Sequence, residues 1–237
     1  MRNTGTLYLI PNSLSGRSLS DELKEGDLNV VKSLTFFIVE TPKIARRALS
    51  NLNMKIQELD MQILDEHSKK KDIHELLQPL IEGNDVGLMS DAGVPGIADP
   101  GSLVVRECHR LGIRVIPLVG PSSIILALCA SGMNGQNFCF NGYLPRDPKR
   151  RKEKIKQLER ESLRRNMSQI FIEAPYRNVS LIEDILEVCN PNTDLCIAVD
   201  ITGEKEYIKT QEISYWRLAK NFKILDIPTT YILLAKR

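Results

Sequence analysis

The chain has 237 residues, 42% of them apolar, enough to bury one large core or two modest ones, and sharp shifts in composition along it favour two domains. No window reaches the apolar length of a membrane span, and the opening MRNTGTLYLI lacks the pattern of a cleavable signal, so a cytoplasmic protein is expected. The net charge is only +2, yet residues 146–165 hold ten basic and four acidic side chains, a local +6 that leaves the remainder at −4 and points to an anionic partner at one place or to a solvated helix face.

In chain order, TLYLI (6–10) and LTFFIV (34–39) are apolar runs of strand length, and DVGLMS (85–90) and RVIPLV (114–119) repeat the pattern. Helical stretches lie between them. TPKIARRALSNL begins with Thr41 as N-cap and Pro42 at the first helical position; KDIHELLQPLIEG closes at Gly83; SLVVRECHRLG runs from Ser102 to Gly112. Strand and helix alternate to residue 132, which favours a mostly parallel sheet with ligands at the strand carboxyl ends. Gly, Asn and Pro then cluster, placing the boundary of a domain spanning 1–133, a linker over 134–147 and a second domain over 148–237. The second domain alternates again: a helix from Lys149 to Arg165, a strand at 169–173, a helix after Pro175, a strand at 194–199, a helix near 213–220 and a last strand at 230–235. The fold class expected is α/β, in two α/β domains.

Five cysteines without a C-x-x-C read as reduced core thiols, and three scattered histidines give no metal site. His67, in the loop DEHS (65–68), is a lone candidate for catalysis. The loop SDAGVPGIADPG (90–101) follows a predicted strand and precedes a predicted helix, with glycines that admit a ligand to bare backbone and prolines that fix the turn. Its aspartates would repel a phosphate, so it suits a cationic or neutral ligand; the plain alternative is a rigid connection that binds nothing. In VGPSSIILALCASG, Ser122 and Ser123 either cap a helix or offer hydroxyls and helix-start amides to a carboxylate. FIEAPYRN repeats a strand, turn and helix, with Glu173 and Arg177 as a candidate pair or a surface ion pair one turn apart.

Together LYLIPNSL, SDAGVPGIADPG, LVGPSSIILALCASG, GYLPR and EAPYRN, in that order over nearly the whole chain, resemble the tetrapyrrole methylase superfamily of S-adenosylmethionine-dependent methyltransferases, in particular its branch of ribosomal RNA small subunit methyltransferase I. The resemblance implies two domains with S-adenosylmethionine in a cleft between them, and a homodimer. By position it assigns cofactor contacts to Pro11, Asp91, Gly93, Val94, Pro95, Ser122, Ser123, Glu173, Ala198, Thr229 and Thr230. It implies 2′-O-methylation of a cytidine ribose in small-subunit ribosomal RNA, with the 30S subunit as partner. Where the family has Glu-Asp-Thr-Arg after the second strand, this chain reads ETPK, which keeps Glu40 and puts Thr41 for the acid and Lys43 for the arginine. Glu40 and Lys43 are the candidate catalytic residues, and Arg146, Lys149, Arg150, Arg151 and Lys152 the candidate RNA contacts. Two other functions stay open: methylation of a small molecule such as a tetrapyrrole, and a non-catalytic paralogue that binds cofactor or RNA.

Overall fold

The computed structural model describes residues 4–64, 70–219 and 226–236. The chain divides into two compact units, Met1–Ser122 and Ser123–Arg237.

In the first unit the strands are β1 (Thr6–Ile10), β2 (Phe36–Val39), β3 (Asp60–Ile63), β4 (Val86–Met89) and β5 (Arg114–Pro117), and the helices are α1 (Glu25–Ser33), α2 (Pro42–Ser50), α3 (Lys70–Leu76), α4 (Gln78–Ile81) and α5 (Gly101–Arg110). The sheet has the order β3-β2-β4-β1-β5, with all neighbours parallel. Alternation along the strands sends side chains to two separate cores. Leu7, Ile38, Val86 and Leu88 pack with Val104 and Cys108 of α5, whereas Ile10, Phe37, Val39 and Met89 pack with Val31 of α1 and Ala45 and Leu49 of α2. The connection from β1 passes beyond β4 to reach β2, and that from β4 passes beyond β1 to reach β5. Neighbouring strands whose connections leave in opposite directions define a switch point, and their carboxyl ends open a crevice there.

The second unit holds α6 (Ser123–Ser131), β6 (Phe138–Tyr143), α7 (Pro148–Arg165), β7 (Ser168–Glu173), α8 (Asn178–Val188), β8 (Asp194–Val199), β9 (Tyr207–Glu212), α9 (Ile213–Leu218) and β10 (Thr229–Leu234). Its sheet has the order β6-β7-β10-β8-β9; β6 runs parallel to β7, and the remaining pairs are antiparallel. Ile155 and Leu158 of α7, Leu181 and Ile185 of α8 and Ile213 and Trp216 of α9 close one core over Phe171, Ile197 and Tyr231, the rings of Phe171 and Tyr231 stacking at 5.7 Å.

Two expectations change. The stretch 134–147 is not a linker: Phe138–Tyr143 is an edge strand of the second sheet, and α6, placed by sequence in the first domain, belongs to the second unit. Gly and Asn in FCFNGY signal irregularity because β6 has a register shift between Phe140 and Tyr143, with Gly142 at φ +65°. The strands β3, β6 and β9 escaped the sequence because half-exposed edge strands carry mixed residues such as DMQI and YIKTQE.

Candidate functional site

The loops after β1, β2 and β4 meet at the switch point of the first unit. Asn12 and Gly93 form an antiparallel bridge in which each backbone N–H donates to the other's carbonyl at 2.8 Å. The Asn12 amide adds donation to the carbonyls of Asp91 at 3.1 Å and Ser90 at 3.3 Å. Gly93 has φ +71°, and a Cβ there would lie 3.3 Å from Leu14 Cδ2 and 3.5 Å from the Pro121 carbonyl. At Gly120, which follows β5, a Cβ would stand 2.3 Å from the Pro11 ring. Bare backbone at these two glycines is what lets the loops after β1, β4 and β5 approach one another.

The acidic residues of SDAGVPGIADPG fold the loop. Asp91 accepts from the Thr41 N–H at 3.0 Å and the Thr41 hydroxyl at 2.7 Å, tying the β4 loop to the start of α2. Its own N–H donates to Glu40 Oε2 at 3.3 Å. Asp99 accepts from the N–H groups of Gly96, at 2.8 and 2.9 Å, and Gly101, at 2.7 Å, so it closes the turn and caps α5. Burial nevertheless pushes the Asp99 carboxyl above its usual pKa, against the lowering effect of those amides. After β1, the Ser13 hydroxyl donates to Glu22 at 2.9 Å and accepts from the Arg17 N–H at 2.9 Å, giving that turn a fixed shape.

Pro11, Glu40, Asp91 and Gly93 are thus brought to one end of the first sheet, with Val94 and Pro95 on the same loop. Lys43 is exposed on the first turn of α2. Ser122 ends the first unit and Ser123 opens α6. His67 lies outside the described residues.

In the second unit Glu173, Ala198, Thr229 and Thr230 converge through strand register: Thr229 pairs with Glu173 and Val199, and Thr230 with Ala198. All four are buried. Glu173 accepts from the Ala174 N–H at 2.7 Å and from Arg177, and its Oε2 is buried with no hydrogen-bond partner among the described residues, as are Nε and one terminal nitrogen of Arg177. Behind them Tyr231 donates to Asn178 Oδ1 at 2.9 Å, while Asn178 Nδ2 donates to the Ile227 carbonyl at 2.8 Å and to Thr229 Oγ1 at 3.3 Å. Burial, with a smaller contribution from the Glu173 charge, pushes the Tyr231 hydroxyl well above its usual pKa, so it stays a neutral donor. Sequence reading missed Asn12, Asn178 and Tyr231, whose roles come from partners far along the chain; the local signals were Asn12 just past β1 and Asn178 at the start of α8.

The candidate RNA contacts separate. Arg146, Lys149 and Arg150 are exposed. Arg151 is turned inside: its Nε donates to Asp184 Oδ2 at 2.6 Å, and its side chain is only 4% exposed, which corrects its reading as an RNA contact. It lies on the helical face of Ile155, Leu158 and Ser162, so α7 must bury it, and a buried guanidinium requires a carboxylate. Lys152 is held by Glu187 at 2.6 Å and Asp184 at 3.5 Å.

The model of the family Tetrapyrrole (Corrin/Porphyrin) Methylases matches residues 21–214. Among curated relatives, a ribosomal RNA small subunit methyltransferase I from Buchnera aphidicola subsp. Schizaphis graminum is 34% identical over 88% of this chain and 70% of its own length. The protein of that name from Thermotoga maritima is 36% identical over 76% and 78%. Among solved structures, the methyltransferase CobJ superposes with a TM-score of 0.64 over 99% of this chain and 97% of its own, at 17% identity, and uroporphyrin-III-C-methyltransferase from Thermus thermophilus with 0.57 over 99% and 93%, also at 17%. These two show the shared fold. With its glycine-lined switch point and a family match over most of its length, the chain belongs to the tetrapyrrole methylase family and is an S-adenosylmethionine-dependent methyltransferase.

Proposed function

We propose that this protein methylates the 2′-hydroxyl of a cytidine ribose in small-subunit ribosomal RNA. The observation that carries the reading is the preorganised meeting of the β1, β2 and β4 loops, in a chain about a third identical to proteins named ribosomal RNA small subunit methyltransferase I.

The residues at the switch point fit S-adenosylmethionine. Gly93 and Gly120 keep bare backbone where a side chain would fill the space, and Asp91 and Glu40 bring negative charge to receive a cation. A carboxylate has about four acceptor sites, so the two bonds from Thr41 leave Asp91 further capacity. On this reading Pro11, Gly93, Val94 and Pro95 border the cofactor, Ser122 and Ser123 offer it hydroxyls and helix-start amides, and Asp91 holds the loop in shape. Glu173, Ala198, Thr229 and Thr230, all buried, contribute through the backbone and through the positions they fix. When bound, S-adenosylmethionine supplies a methyl carbon on a sulfonium, whose departure as a neutral thioether needs no acid.

The chain's own task is therefore positional: to hold the ribose hydroxyl in line with that carbon, an alignment worth at best about 7–11 kcal/mol of the barrier. Glu40 Oε2, fixed beside the Asp91 N–H, orients the acceptor and takes up its proton, and the exposed Lys43 ammonium offers a point charge to a neighbouring phosphate. Arg146, Lys149 and Arg150 add sequence-independent affinity for the backbone. A homodimer is part of the same reading; α6 is apolar on nearly every side and leaves Ile125 and Leu126 exposed, as does Val119 before it.

The test is to supply purified protein with isotopically labelled S-adenosylmethionine and 30S subunits lacking the modification, then map ribose methylation by nucleotide. A labelled 2′-O-methylcytidine, lost in Glu40→Gln even when the cofactor is saturating, is the expected outcome. Label reaching a tetrapyrrole acceptor but no RNA would overturn the substrate assignment.

A further inference from the structure

We infer that the outward face of α7 is a track for the phosphates of one RNA strand, running from Lys149 and Arg150 through Lys156 and Arg160 to Arg164 and Arg165. The inference rests on the proposal that the substrate is RNA, and it extends the contact surface along the whole 18-residue helix.

The helix sorts its charges. Arg151, Ile155, Leu158 and Ser162 form the buried face; the Ser162 hydroxyl accepts the Ala235 N–H at 2.9 Å. Glu159 is drawn off this surface, accepting from the Asn190 N–H at 2.7 Å and the Thr193 hydroxyl at 2.6 Å, while the half-buried Glu161 accepts from Gln157 at 3.0 Å and keeps its charge. Asp147 caps the helix through the Arg150 N–H at 2.9 Å. The outward stripe that remains carries Glu153 as its exposed acid within α7, against the six exposed cations named above.

Lys156, Arg160 and Arg164 recur at i, i+4, so they stand about 6 Å apart along the axis. That interval is comparable to the step between successive phosphates of a nucleic-acid strand. The helix dipole favours Arg164 and Arg165 in the last turn, but Lys156 and Arg160 lie before it, where like charges at this spacing repel one another and an anionic polymer laid along them would relieve that repulsion. At its end the stripe opens into a groove of about 490 Å³ between the last turn of α7, with Leu163, Arg164 and Arg165, and the end of β10 at Leu234 to Lys236. The same cations would suit an anionic lipid surface, but the exposed face offers Leu163 as its apolar residue within α7, too little to enter a bilayer.

The test compares the wild type with the triple variant Lys156→Gln, Arg160→Gln, Arg164→Gln and with a charge-matched control, Lys32→Gln, Lys55→Gln, Arg110→Gln, which neutralises exposed cations of the first unit. Affinity for a labelled fragment of small-subunit ribosomal RNA is measured against salt, alongside circular dichroism and S-adenosylmethionine binding. Three lost phosphate contacts should flatten the slope of log affinity against log salt by about 0.7–0.9 each, so that the loss of affinity between about 50 and 200 mM salt shrinks roughly 20- to 40-fold, while the control keeps its slope. An unchanged slope in the folded triple variant, or an equal change in the control, overturns the track. A wild type that binds RNA with a slope lost in the triple variant, yet transfers no methyl group to it, keeps the track and overturns the substrate reading. Binding to anionic vesicles but not to RNA overturns both.

Discussion

Both carboxylate oxygens of Asp91 are held by Thr41, one by its N–H at 3.0 Å and the other by its hydroxyl at 2.7 Å. Thr41, standing where the resemblance to the family leads one to expect an acid, is thus a partner for the aspartate of the glycine-rich loop. An acid at position 41 would set two carboxylates against each other; a hydroxyl donates to one.

From this tie we expect Asp91→Asn and Thr41→Val each to lower stability by about 1–3 kcal/mol, as hydrogen bonds to a charged group do. Because they share one contact, the double variant should lose less than the sum of the two. Urea unfolding of the ligand-free protein measures this. Full additivity, or no loss in Asp91→Asn, would show that Asp91 acts on the ligand alone.

Gly93→Ala and Gly120→Ala test the close approach of the loops. At Gly93 a side chain must adopt φ +71°, a strain of roughly 1–2 kcal/mol. At Gly120 the new carbon would stand 2.3 Å from the rigid Pro11 ring, so the loop must move, at about 1–3 kcal/mol. Both variants should also bind S-adenosylmethionine more weakly by calorimetry; unchanged affinity in both would place the cofactor elsewhere.

Arg151 and Arg150 are adjacent in sequence and opposite in role. Arg151→Ala leaves Asp184 buried without its guanidinium and should cost about 3–5 kcal/mol. Arg150→Ala, at an exposed position, should stay within about 0.5 kcal/mol. Replacing the pair by Arg151→Met with Asp184→Leu should recover most of the loss, since the desolvated charges vanish together. Thermal melts decide it, and a stable Arg151→Ala would return this side chain to the surface.

The raised pKa of Asp99 gives a pH dependence of defined sign. Burial makes its ionised form less favourable in the folded chain than in the unfolded one, so the folded state holds the proton more tightly. Its contribution is therefore fully present below the unfolded value of 3.8 and is lost as pH rises through the higher folded value. Measured against Asp99→Asn, which does not titrate, the stability advantage of the wild type should shrink as pH rises above 3.8. A constant or growing advantage would reverse the assignment.

The sequence by itself determined the architecture of buried strands. TLYLI, DVGLMS and the strands at 169–173, 194–199 and 230–235 are continuous apolar runs because strands covered on both faces, or central to a sheet, present no polar side to water. It also located the glycine-rich turn after β4, since Gly and Pro act on the backbone locally. Arg151 was legible in principle, four residues before Ile155 on the buried face, but a basic run read by composition hides its helical period. Only the tertiary structure decided what the carboxylates of the loop are for. Asp91 and Thr41 lie 50 positions apart, and Asn178 and Tyr231 lie 53 apart. No local pattern encodes such pairs, because a hydrogen-bond partner is fixed by sheet order and register, which arise only when the whole core closes.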